Sequence, residues 1–186
     1  MSAPQATWIL SVCFPDDLLC LNRAVGILRR QSLPVSNVAL GPTGRPGTLR
    51  LSCALAADRA TAERTANALR KMTEAREVTL HAEADCVMRE HLLVRVRVPP
   101  TGLSALLDTV SLFQATIVEE RPDELLLEAT GTSPFMVSFL RALEPFGMID
   151  LVRGASLALP LPTGRAVGDS SRLPAAPSRN ARAVPA

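Results

Sequence analysis

Two histidines, four cysteines and a run of acids between residues 81 and 91 are the side chains here with the chemistry for catalysis or metal binding. His81 and His91 have Cys86 between them, which makes three potential zinc ligands, and no spacing supplies the fourth that a closed tetrahedral site needs. Glu83, Asp85, Glu90 and His91 could form an acid–base cluster, but they fall in a polar stretch that reads as a solvated connector. Ser104, Ser111 and Ser138 lie on predicted helix faces, without the G-x-S-x-G turn that would expose a nucleophile. Cys13, Cys20, Cys53 and Cys86 match neither a C-x-x-C pair nor a small disulfide framework, and read as reduced, packed thiols. The glycine-rich stretch 41–47 follows one strand and leads into another, so it offers no helix N-terminus to a phosphate and reads as a hairpin turn. These residues predict no catalytic site, no metal site and no cofactor held by this chain.

The composition agrees with a packed, non-nucleic-acid protein. Of 186 residues, 47% are hydrophobic and 20% charged, enough for one large or two small globular domains. The formal net charge is +2, and the nineteen arginines and one lysine are spread along the chain, so neither nucleic acid nor a membrane is expected as partner. With no Tyr and one Trp, the chain lacks aromatics for base stacking. Residues 1–6 are polar, and the short apolar-leaning run after them falls well below the ~20 residues of a membrane span. The expected location is the cytoplasm.

The elements that must position these residues are legible as alternation and helical spacing. Trp8, Leu10, Val12 and Phe14 alternate as in a strand, Asp16 follows as a helix cap, and Leu18, Leu21, Val25 and Leu28 recur at helical spacing. Residues 35–40 and 48–56 read as a hairpin, Ala62, Ala66, Leu69 and Met72 as a second helix, and residues 77–81 as a strand. The second half repeats the order. Val94, Val96 and Val98 alternate, Leu103, Leu106, Leu107 and Val110 mark a helix, and residues 115–119 and 124–129 form a hairpin. Ser133 then caps a helix with Pro134 at its first position, and residues 148–152 and 155–161 complete the sheet. The predicted fold class is α+β: two tandem ferredoxin-like βαββαβ modules. The first spans 7–82 and the second 91–162, joined by a linker over 83–90 and followed by a disordered tail over 163–186.

This order of elements and several loop segments resemble the small-subunit family of acetolactate (acetohydroxyacid) synthase. Val38-Ala39-Leu40-Gly41-Pro42-Thr43 resembles the family's LAVGPT hairpin, and Leu69-Arg70-Lys71-Met72 with Glu74 and Val78 resembles LNKLVDV. Residues 113–118 resemble FRAKIVDV, residues 128–132 resemble EVTGT, and residues 143–153 resemble LKPFGI-ELVR. The resemblance covers about residues 7–161. It implies a first module of the ACT type that pairs with its like and binds a small amino-acid effector, followed by the α+β module that ends the family's chains. It also implies a non-catalytic, regulatory polypeptide that binds and activates the large catalytic subunit in valine, leucine and isoleucine biosynthesis. Thiamine diphosphate, Mg and FAD would belong to that partner. A stand-alone ACT-type amino-acid sensor is the alternative; no helix-turn-helix with a basic recognition helix accompanies it.

The loop expected to hold the effector departs from the family. Where the pattern resembles N-x-P-G-V-L, this chain has Asp16, Asp17, Leu18 and Leu19, and Pro34 stands where the family has an asparagine. A carboxylate at Asp16 repels an effector carboxylate that an amide would hold. Leu19 adds bulk where glycine let a ligand approach the backbone, and a positive φ there would cost roughly 1–2 kcal/mol. Pro34 offers neither a side-chain donor nor a backbone N–H. Asp16, Leu18, Leu19 and Pro34 therefore form a degenerate effector site, with valine feedback weak or lost.

Overall fold

Leu10, Val12 and Phe14 of β1 (Ala6–Pro15) point to one side of a sheet and are buried against two helices, as their alternation requires. The computed structural model describes residues 6–98 and 102–162; the predicted tail over 163–186 lies outside the described residues. After β1 come α1 (Leu18–Arg30), β2 (Val35–Pro42), β3 (Thr48–Ala57), α2 (Arg59–Arg70) and β4 (Glu77–Ala82). The sheet order is β2-β3-β1-β4, antiparallel throughout, which is the ferredoxin-like arrangement. Leu51, Cys53 and Leu55 of β3 complete the core with Cys20, Ala24 and Leu28 of α1 and Ala66 and Leu69 of α2.

The same plan recurs in β5 (Cys86–Arg97), α3 (Leu103–Leu112), β6 (Thr116–Glu120), β7 (Glu124–Gly131), α4 (Ser133–Leu143) and β8 (Met148–Arg153). Strand order is β6-β7-β5-β8, and Leu92, Val94 and Val96 take the places that Leu10, Val12 and Phe14 hold in the first sheet. Phe139, Met136 and Leu143 of α4 are buried against them, with Leu106 and Val110 of α3. The fold is therefore two ferredoxin-like βαββαβ units in tandem, with two separate cores.

Four local expectations are corrected. The stretch 83–90 is only briefly a connector: after one 3-10 turn (Glu83–Asp85), β5 begins at Cys86 and runs unbroken into the second sheet. Its first residues pair with β9 (Leu157–Pro160), Val87 with Leu159 and Arg89 with Leu157, so residues 157–160 form a ribbon with β5 instead of joining the sheet beside β8. Backbone amides there need partners, and the ribbon supplies them despite the polar side chains. At α1 the cap is Asp17, whose Oδ1 accepts from the Leu19 amide at 3.0 Å, while the Asp16 amide donates to Gly47 O at 3.0 Å. At α4 the cap is Thr132, and the Ser133 hydroxyl instead accepts from Arg153 Nη2 at 2.9 Å.

Gly131, at the end of β7, packs under the Phe135 ring, which lies edge-on to Phe113 with centroids 5.6 Å apart. A methyl group there would sit 2.9 Å from Phe135 Cγ. Gly131→Ala should force the ring aside and lower stability by about 1–3 kcal/mol in chemical denaturation, without changing far-ultraviolet circular dichroism. An unchanged denaturation midpoint would show that Phe135 swings clear at no cost.

Candidate functional site

The loop from β1 to α1 is built by opposing pulls. Phe14 is fully buried and Pro15 pairs with Thr48, while Asp16, Asp17, Leu18 and Leu19 emerge exposed. The Asp17 carboxylate accepts from the Leu19 amide, and Cys20 Sγ lies 3.7 Å from its other oxygen. Leu18 is 80% exposed and Leu19 53%. Leu19 is helical, so the strain of a positive φ does not arise; among the described non-glycine residues only Ser32, Asn37 and Gln114 have one. Pro34 lies exposed before β2, where its carbonyl accepts from the Ala56 amide at 3.3 Å. Asp16, Leu18, Leu19 and Pro34 line none of five well-formed cavities among the described residues.

The largest of these concavities, about 940 Å³, runs between α1 and α2. Arg29, Arg30, Arg64 and Lys71 line it beside an Arg23–Glu74 ion pair, so it is a wide, cationic and open surface. The residues weighed for chemistry are dispersed. His81 and Cys86 border one cavity at the open face of the first sheet, whereas His91 Nε2 lies 2.9 Å from Glu128 Oε1 on the second. Among the described residues no group of three His, Cys, Asp or Glu side chains converges for a metal. Burial pushes the Cys53 thiol up to about 11; it also raises Cys20 and Cys86, whose neighbouring acids Asp17 and Asp85 add to the effect. Such thiols are neutral and unreactive near pH 7.

Sequence reasoning places Glu90 in a solvated connector, and the structure buries it: Glu90 is 3% exposed. Its Oε2 accepts from Arg153 Nε at 2.7 Å, and its Oε1 from Ser156 Oγ at 2.7 Å. Arg153 also reaches Ser133 at the start of α4. One carboxylate thus joins β5, the end of β8, the β8–β9 bend and α4. Burial alone would raise its pKa, but the hydrogen bonds from Ser156 and Arg153 and the Arg153 charge outweigh it and hold the carboxyl below its usual range. The charge alternation of residues 89–91 gives no hint of this, because the partners are more than sixty residues away in sequence.

Fold and loop geometry together define a protein of two tandem ferredoxin-like units whose β1–α1 turn is closed by its own aspartate. The chain matches, over residues 89–161, the family model described as small subunit of acetolactate synthase. Over 159 residues it is 26% identical to the acetolactate synthase small subunit of Mycolicibacterium smegmatis, covering 86% of this chain and 94% of the relative. A probable acetolactate synthase small subunit of Methanothermobacter thermautotrophicus is 29% identical over 154 residues, covering 82% and 92%. The crystal structure of the small subunit from Thermotoga maritima superposes with a TM-score of 0.77 at 20% identity, over 83% of this chain and 97% of that one, and so shares the fold.

The Glu90 network makes a pH-dependent prediction. Glu90→Gln should lower stability by about 2–4 kcal/mol at neutral pH, because Arg153 and Ser156 lose a charged acceptor. The folded pKa lies below the unfolded value of about 4.3, so the stabilisation is complete above that value and disappears as pH falls through the folded one. Urea denaturation of both proteins between neutral pH and pH of about 3 should therefore show their difference shrinking with acidity. A difference that grows with acidity would contradict the assignment.

Proposed function

We propose that this chain is the regulatory, non-catalytic small subunit of an acetolactate synthase, binding and activating a separate catalytic subunit that carries thiamine diphosphate, Mg and FAD. The observation that carries the reading is the family match of residues 89–161, extended by relatives of that name along more than four-fifths of the chain. On this reading the first modules of two copies pair. The exposed Val38 and Leu40 on the edge strand β2, and the exposed Leu18, Leu19 and Val25 on α1, support that pairing.

Valine regulation is weak or absent in this reading. The amide of Leu19, at the start of α1, is already bonded to Asp17, and the carboxylates of Asp16 and Asp17 set negative charge where an amino acid would place its own. Pro34 has no N–H to offer. These features support a loop that an effector carboxylate avoids.

The test is acetolactate formation by the catalytic subunit of the same organism, titrated with this protein with and without millimolar valine. The rate should rise and saturate, with the same plateau in both series. No rise in rate would overturn the activating role, and a plateau lowered by valine would overturn the insensitive loop.

A further inference from the structure

On the face of the first sheet opposite its helices the small side chains Ser11, Cys13, Ser52 and Ala54 are buried, together with Ile9. Ser11 and Ser52 hydroxyls pair across the strands at 2.8 Å. The β5–β9 ribbon lies over part of this face, and between the two a cavity of about 370 Å³ remains. Its walls are apolar where the ribbon contributes Val87, Leu157 and Leu159 and where β2 contributes Pro42. Leu157 and Leu159 are 68% and 62% exposed, so the ribbon presents uncovered apolar surface beside this space.

The charged residues bordering the cavity are two arginines, Arg50 and Arg89. Arg50 is half-buried and its Nε donates to Cys13 Sγ at 3.5 Å; Arg89 Nη1 donates to the Met88 carbonyl at 2.7 Å. Neither has an ion-pair partner among the described residues. Glu77 borders two adjoining cavities that Arg50 also borders, without forming a salt bridge to it. A half-buried guanidinium with no carboxylate is an unfilled acceptor demand, since its fork matches two carboxylate oxygens. The volume falls within the range of small-molecule sites, which combine apolar walls with a few converging polar groups.

From this combination we propose that the space between the first sheet and the ribbon is a binding site for a small aliphatic monocarboxylate. Its carboxylate lies on Arg50, with Arg89 as the second cation, and its hydrocarbon lies among Pro42, Val87, Leu157 and Leu159. The absence of an acid from the described lining sets the specificity. An amino acid would bring its ammonium beside two guanidiniums with no carboxylate to receive it, so the site favours the acid that lacks the amino group. This site is separate from the β1–α1 loop and requires no catalytic subunit, so it stands or falls independently of the proposed regulatory role.

Isothermal titration of the full chain tests it with three probes of one carbon skeleton: 4-methylpentanoate, 4-methylpentanamide and leucine. The acid should bind saturably at millimolar concentration or below, and the amide and leucine at least about tenfold more weakly. Arg50→Gln should weaken acid binding by about tenfold or more while the melting temperature stays near that of the parent. Should that variant unfold, Arg89→Gln, at an exposed strand position, carries the same expectation with a smaller loss. No saturable binding of the acid overturns the proposal. So does equal binding of acid and amide, or of acid and leucine, or undiminished acid binding by a folded Arg50→Gln protein.

Discussion

The buried carboxylate of Glu90 is the point on which the rest of this molecule turns. It sits where β5 passes from the ribbon into the second sheet, between Arg89, paired with Leu157 of β9, and Leu92, paired with Arg153 of β8. β8 and β9 run along the same edge of β5, and the interruption between them, Gly154 to Ser156, would leave a gap in that edge. Arg153 and Ser156 fill the gap with side chains, and both bind Glu90. An unpaired carboxylate buried there would cost several kcal/mol. Partnered, it fixes the bend, the first turn of α4 and the direction of the ribbon at once.

From that anchor the two modules differ in what their open faces do. In the second sheet the face away from the helices is polar and exposed, with His91 paired to Glu128 and Arg121 bonded to Glu119. In the first sheet the middle of the corresponding face, at Ile9, Ser11, Cys13, Ser52 and Ala54, is buried. Small side chains on that face let another layer approach closely, and the β5–β9 ribbon is the layer that does so. The same repeated βαββαβ plan thus serves as a solvated platform in one half and as a floor in the other.

Much of the fold can be read from the chain because its signals are local. Alternation at Leu10, Val12 and Phe14 and again at Leu92, Val94 and Val96 places both central strands, and helical spacing places all four helices. The caps differ from expectation by one residue because Asp16 and Asp17, like Thr132 and Ser133, offer adjacent residues of the same chemistry. Only tertiary demands choose between them: Gly47 engages the Asp16 amide and Arg153 the Ser133 hydroxyl. Residues 83–90 mislead because strand pairing is a backbone property, and Arg89 and Glu90 hide it behind polar side chains. The burial of Glu90 and the unpaired state of Arg50 depend on partners distant in sequence, so no window along the chain could show them. The loop over Asp16, Leu18 and Leu19 stands out in the sequence through its departures alone, and its exposure follows from the cap at Asp17.

The unbroken course of β5 has a mechanical meaning. Its 12 residues include no glycine or proline, and at about 3.3 Å per residue they form a rod close to 40 Å long. One end is braced by β9 and by the Leu161 amide on the Asp85 carbonyl, and the other by β7 and β8 on both edges. A swivel between the halves has no soft joint in this rod to use. Any swivel of the halves would turn instead on Glu83–Asp85, the 3-10 turn ahead of the rod, and would carry β5, β9 and the second sheet as one piece.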